Sequence, residues 1–362
     1  MSSATTPRWR RRRGRRAASK VRSGVRGLAS GVKGHTSAWV GLLSTLNAQF
    51  LTLLIGGALL SGFAQAQEFP VKPIRIIVGP GPDIIARMFG QKFTEAWGHQ
   101  TIVEQRPGGG GTIATEMVAK APPDGYTLLL SSAAYTINAV LQPGPYDLLR
   151  DFASIALCAT SPFILTVHPS VPATSVRELI ALAKTRPGQL VYSSSGNGTP
   201  PHLAGEMFKS MAKVDILHVP YKYATPALID VVSGQVQIMF PIMSISLPQV
   251  QAGKLRGLAV SARERTRLAP QLPTIAESGL PGYEIIGWNG LIAPAKTPAA
   301  VVSKLNAEVN RHLKAPELVQ RLAQSSYDPA GDKNSPEQFS DFVRAEIAKF
   351  AKLVKETGTK VD

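Results

Sequence analysis

The chain has 362 residues, 44% of them hydrophobic, one cysteine and a formal net charge of +16. Residues 1–66 hold eleven basic side chains, from Arg8 to Lys33, and no acidic one, whereas the remaining 29 Lys and Arg face 24 Asp and Glu. The basicity therefore belongs to a leader and not to a nucleic-acid surface, and a lone cysteine excludes an intramolecular disulfide and a thiolate metal cage.

Behind the basic stretch comes an apolar one, Ala38 to Phe63, closed by Ala64-Gln65-Ala66. A charged start, an apolar middle and a small-x-small end read as a secretory signal peptide cut after Ala66. An uncleaved anchor is the alternative, and Ser44, Thr45, Asn47, Gln49 and Thr52 interrupt it. Residues 67–362 contain no second apolar run long enough to span a bilayer. They are numerous enough for one large or two medium domains.

In chain order, Ile74–Val78 predicts a strand, and Asp83 is placed to cap a helix carrying Ile85, Met88, Phe89 and Phe93. Strand 101–104, a glycine tetrad at 108–111, helix 112–120 and strand 126–131 complete a βαβαβ unit. The rhythm recurs: strand 163–167, helix 175–184, strand 190–193, helix 202–211, strand 216–219, helix 225–232, and strands 236–240 and 255–260. Beyond Trp288–Ala293 the pattern is helical, over 298–313, 316–323 and 336–357, each helix opening near a proline. Such alternation predicts an α/β architecture of parallel or mixed sheets in two lobes, with a cleft at the carboxyl ends of the strands.

The chemical inventory is sparse. Gly109–Ala114 matches G-x-G-x-x-A, but the following strand ends in Ser131-Ser132 without the acidic residue that binds a ribose, which argues against a dinucleotide site. There is no P-loop, nucleophile elbow or H-E-x-x-H. His202 and Glu206, four apart, read as a hydrogen-bonded pair rather than metal ligands, and Cys158 as a packing residue. Three turns at strand ends are candidate anion sites: Gly79–Asp83, Ser131–Ala134 and the polar run Ser193–Pro201. Each has a plain reading as an αβ connection; together they favour a carboxylate-binding cleft.

Residues 69–362 resemble the periplasmic substrate-binding proteins of tripartite tricarboxylate transporters, the Bug-type receptors. The resemblance rests on Phe69–Val78, Glu104–Gly108 with Gly111–Ala114, Pro123–Leu128, Ser194–Glu206, His218–Lys222, Ala252–Arg256, Leu272–Glu277 and Pro281–Glu284. It implies a two-domain type II Venus-flytrap fold, with domain 1 from 67–165 and 288–362 and domain 2 from 166–287. It also implies a periplasmic binding protein that is no enzyme; no cofactor or metal is expected, and a monomer is the expected state although the sequence does not itself specify it. The partners would be a small carboxylate and membrane transporter subunits, with a sensor protein as the alternative recipient. The ligand-binding residues it implies are Gly81, Asp83, Ser131 and Ser132 from domain 1, facing Ser194, Ser195, Gly196, Gly198, Thr199, His202, Tyr221 and Lys222 from domain 2.

This chain departs from the family pattern at three places. Only Pro80, Gly81 and Pro82 separate Gly79 from Asp83, about four residues fewer than usual, and prolines donate no N–H. Pro241 stands where an aspartate is common, and Tyr223 where glycine is usual. The short turn predicts weak affinity for simple C4 dicarboxylates.

Overall fold

The computed structural model describes residues 68–79, 83–106, 108 and 111–359. The leader with its cleavage site, and Gly81, lie outside the described residues. Strands β1 (Ile74–Val78), β2 (Thr101–Gln105) and β3 (Thr127–Ser132) run parallel, joined through helices α1 (Ile84–Trp97) and α2 (Thr112–Ala119). Ile76 and Ile77, on opposite faces of β1, are both fully buried, as are Leu128 and Leu129 on β3. That two-sided burial is what a parallel strand covered by helices requires.

Helix α1 buries Ile85, Met88, Phe89 and Phe93 on one face and stops at Gly98, whose φ of 70° suits a left-handed cap. Asp83 occupies the N-cap position but does not cap. Its carboxylate accepts from Arg87 instead, 2.9 Å from Nε and 2.6 Å from Nη2, because a guanidinium one turn along offers a charge-assisted pair.

β3 passes directly into helix α3 (Ala133–Leu141), which the sequence pattern does not predict. The long strand β4 (Phe152–Pro162) is equally unannounced. With β10 (Ile286–Pro294) and β11 (Asp328–Pro329) it completes a six-stranded sheet in the order β11-β4-β10-β3-β1-β2, β10 lying antiparallel to β3 and β4. Cys158 on β4 is fully buried, and burial pushes its thiol pKa far up, as fits an inert packing residue.

A second sheet, ordered β7-β6-β8-β5-β9, is built from β5 (Ile164–Val167), β6 (Val191–Ser194), β7 (Leu217–Pro220), β8 (Ile238–Met239) and β9 (Arg256–Val260). β6 runs parallel to β7 and β8, and β5 antiparallel to β8 and β9. Helices α4 (Val176–Thr185), α5 (Pro200–Ala212), α6 (Ala224–Val232) and α7 (Met243–Gln251) connect these strands, α7 being a third element absent from the sequence reading.

After β10 the chain is helical: α8 (Ala299–Leu313), α9 (Pro316–Gln324) and α10 (Pro336–Thr357). A capping box starts α10: Ser335 Oγ accepts from Gln338 N, and Gln338 Oε1 accepts from Ser335 N at 2.9 Å. Phe339 and Val343 of this helix pack into a core of the first sheet, whereas Phe350 and Leu353 pack into the core of the second. Burial of each phenylalanine is worth about 1.5–3 kcal/mol, so one rigid helix is anchored on both sides of the molecule. Between the two anchors sits Glu346, only 4% exposed and paired with Lys349. Burial raises its carboxyl pKa, and Trp288 Nε1 lies alongside it without completing a hydrogen bond.

Candidate functional site

A cavity of about 320 Å³ opens at the carboxyl ends of β1, β3, β6 and β8, between the two sheets. Ligands of open α/β sheets collect at such strand ends. From the first sheet come Val78 and Gly79 of β1, Leu130 and Ser132 of β3, the first turn of α3 (Ala133, Ala134, Tyr135), and Gly287-Trp288-Asn289 of β10. From the second come Phe163, Ser195, Pro200 and Pro201, Ala224, and the stretch around Met239, Pro241, Ile242 and Ile245. Tyr327, just before β11, completes the lining.

On the first side the polar feature is the start of α3. Ser132 is extended at φ −150° and occupies the N-cap, yet its hydroxyl makes no cap bond, and no acidic residue stands in the first turn. The N–H groups at the start of a helix have no intrahelical acceptors, and the helix dipole there favours negative charge. Nearby, the Gly79 N–H donates to the Tyr135 hydroxyl at 3.1 Å. A Cβ on Gly79 would lie 2.2 Å from that hydroxyl oxygen, so any side chain there would displace the Tyr135 hydroxyl. Burial pushes the Tyr135 pKa up, which keeps the hydroxyl neutral.

On the second side, the turn between β6 and α5 binds mostly to itself. The Gly196 N–H donates to Ser194 Oγ at 3.1 Å, Gly198 N–H to His202 Nδ1 at 3.0 Å, and Thr199 Oγ1 to the Gly196 carbonyl at 2.7 Å. The first two positions of α5 are Pro200 and Pro201, which have no N–H to offer. Gly196 has φ of +125°, a conformation that glycine adopts readily and other residues rarely. Beneath the turn, the His202 and His218 rings stack at 4.1 Å, and Tyr192 stacks on His218 at 4.6 Å. His218 Nε2 lies 2.7 Å from Ser194 Oγ. Burial depresses the pKa of both imidazoles, and that of His218, lowered further by His202, falls to about 4.

Of the twelve residues implied by the sequence, the cavity brings together Ser132 and Ser195. Ser131 is 2% exposed and points to the opposite face of β3 from Ser132, as strand alternation demands. Ser194, Gly196, Gly198, Thr199 and His202 form the turn and its underside. Asp83 is held by Arg87 away from the lining, and Gly81 is outside the described residues. Tyr221 donates to Asp230 at 2.5 Å, which pushes its pKa up to about 12, and the exposed Lys222 lies 5.6 Å from the centre of the Tyr223 ring. Neither lines the cavity. The expected His202–Glu206 bond is also absent: Glu206 accepts from the Tyr192 hydroxyl at 2.7 Å and from Lys209 at 2.8 Å. Burial alone would raise the Glu206 carboxyl, but these two donors outweigh it and hold its pKa down.

Residues 85–359 match the model of the tripartite tricarboxylate transporter family receptor. The chain belongs to this receptor family. It is 38% identical to a UPF0065 protein encoded in the tcbD-tcbE intergenic region of Pseudomonas sp. strain P51, over 80% of this chain and 87% of that one. It is 32% identical to protein BugT of Bordetella pertussis, over 85% and 96% of the two chains. The R. palustris protein Rpa4515, solved with adipate, superposes with a TM-score of 0.72 at 34% identity, covering 82% of this chain and all of that one. This Bug-type receptor thus has the α/β fold of periplasmic solute-binding proteins that serve transporters, and among the described residues no helix is long and apolar enough to cross a membrane.

Several lining residues of the receptor escape the sequence reading. Tyr135, Trp288, Asn289 and Tyr327 belong to elements whose facing depends on the packing of distant segments. One signal was available for the α3 start: Ser132 follows an apolar strand and precedes Ala133-Ala134, a serviceable N-cap pattern without the usual turn residues.

Proposed function

We propose that this receptor captures a small organic carboxylate in the cleft and delivers it to a tripartite tricarboxylate-type transporter in the membrane. The observation that carries this reading is the cavity itself, in which an uncapped helix start with the Ser132 hydroxyl meets walls from both sheets. Family membership and the adipate held by a relative support the same ligand chemistry. The protein acts as a binding protein and not an enzyme. Its leader directs export, with cleavage after Ala66, so capture takes place in the periplasm.

The two lobes of this reading are 67–165 with 288–362, and 166–287, bounds that fall within β5 and β10. Helix α10, packed into cores on both sides, restrains their relative motion. Ligand binding between the lobes favours the closed arrangement in proportion to its preference for it. Melting the purified protein with and without small carboxylates tests the reading. A ligand at 100 times its dissociation constant stabilises by about 2.7 kcal/mol, whereas no shift with any carboxylate contradicts capture.

A further inference from the structure

Resting on the carboxylate reading above, we infer that the cleft selects acids with one carboxylate and a compact, ring-shaped apolar body over dicarboxylates. No Asp, Glu, Lys, Arg or His is among the described lining residues. The lining presents flat or rigid faces in Tyr135, Phe163, Trp288 and Tyr327 together with the rings of Pro200 and Pro241. A volume of about 320 Å³ lies at the small end of ligand pockets.

The described lining offers a second carboxylate no charged partner: beyond Ser132 and Ser195 its polar side chains are the neutral Tyr135, Trp288, Asn289 and Tyr327. The start of α3, with Ser132, can receive one carboxylate, and Ser195 is the hydroxyl opposite. The turn behind Ser195 commits the N–H groups of Gly196 and Gly198 to Ser194 and His202. A second carboxylate that reaches the second-sheet wall meets Met239, Pro241, Ile242 and Ile245, where an ion loses its hydration and gains no partner. An apolar ring buries its surface against the same wall with no such cost.

Calorimetric titration of the purified protein with benzoate, cyclohexanecarboxylate, succinate, adipate and the neutral benzamide tests this. The expected result is at least tenfold tighter binding of the two monocarboxylates than of either dicarboxylate, and no comparable binding of benzamide. Equal or tighter binding of succinate or adipate overturns the inference and leaves the carboxylate reading standing. Benzamide binding as well as benzoate overturns the carboxylate reading while the apolar cleft remains, and no binding by any of the five overturns both. As a second arm, Ile245→Lys and, independently, Ala224→Lys place an ammonium on the half-buried far wall. In whichever variant keeps the native circular dichroism, preference moves at least tenfold toward adipate; an unchanged ratio contradicts the inference.

Discussion

The two sides of the cleft use similar residues in opposite ways. On the second sheet, the run from Ser193 to Pro201 is rich in glycine and hydroxyls, yet its donors close on Ser194, Gly196 and His202, and prolines occupy the first two helical positions. On the first sheet, the plain sequence Ser132-Ala133-Ala134 leaves a helix start without a cap bond against the cavity. The difference teaches that donor count in a sequence is not donor availability. A turn can be built to hold its own shape, and the sharper anion site can be the one with little side-chain signature.

Substitutions on each side can break or sharpen this contrast. The largest effect is expected from Ala134→Asp, which places a carboxylate in the first turn of α3, where the helix itself tolerates it well. Benzoate affinity should fall more than about 100-fold with the melting temperature maintained, since like charges would compete for one site. Next comes Ser132→Ala, which removes a hydrogen bond to a charged group worth about 1.5–3 kcal/mol, or roughly 10–100-fold in affinity. Ser195→Ala should cost less by titration; if it costs more, the assignment of the two sides is reversed.

Ser194→Ala should act on stability instead. It leaves the Gly196 N–H and His218 without their partner, for an expected loss of about 1–3 kcal/mol in urea unfolding. The stacked imidazoles beneath it also make stability depend on pH. The folded His218 stays neutral down to about pH 4, whereas an unfolded histidine takes up a proton below about 6.5. Between those values the unfolded state binds more protons, so stability falls as pH falls. His218→Asn should flatten that slope between pH 6.5 and 4 in a series of melts, even if it lowers the melting temperature at pH 7. The smallest effect is expected from Lys222→Ala and Tyr221→Phe, which lie off the lining. Their ligand affinities should stay within about twofold, as for surface changes away from special features.

Much of the fold was legible because punctuation was present. β1, β2 and β3 are separated by glycines and prolines, and the helices at 299–313, 316–324 and 336–357 open near prolines. Where punctuation was missing, elements were missed. Ser132 ends β3 and begins α3 with no turn between, and α7 contains Pro248 where the pattern suggests a break. β4 is rich in small residues, Ala153, Ser154, Ala156, Cys158 and Ala159, which hide its role between β10 and β11. Of the site, Ser132 and Ser195 were legible as strand-end hydroxyls. Alternation along β3 already implies that Ser131 and Ser132 cannot face the same way. Trp288 and Tyr327 were not legible, because their approach to the cavity is set by β10 crossing between β3 and β4 and by β11 on the far edge.

The most direct test of the contrast is a crystal structure of the protein with benzoate. A carboxylate oxygen is expected within about 2.7–3.2 Å of Ser132 Oγ and the Ala134 N–H, with the Gly196–Ser194 and Gly198–His202 bonds intact. A carboxylate seated on the Gly196 and Gly198 N–H groups, with those two bonds broken, would contradict it.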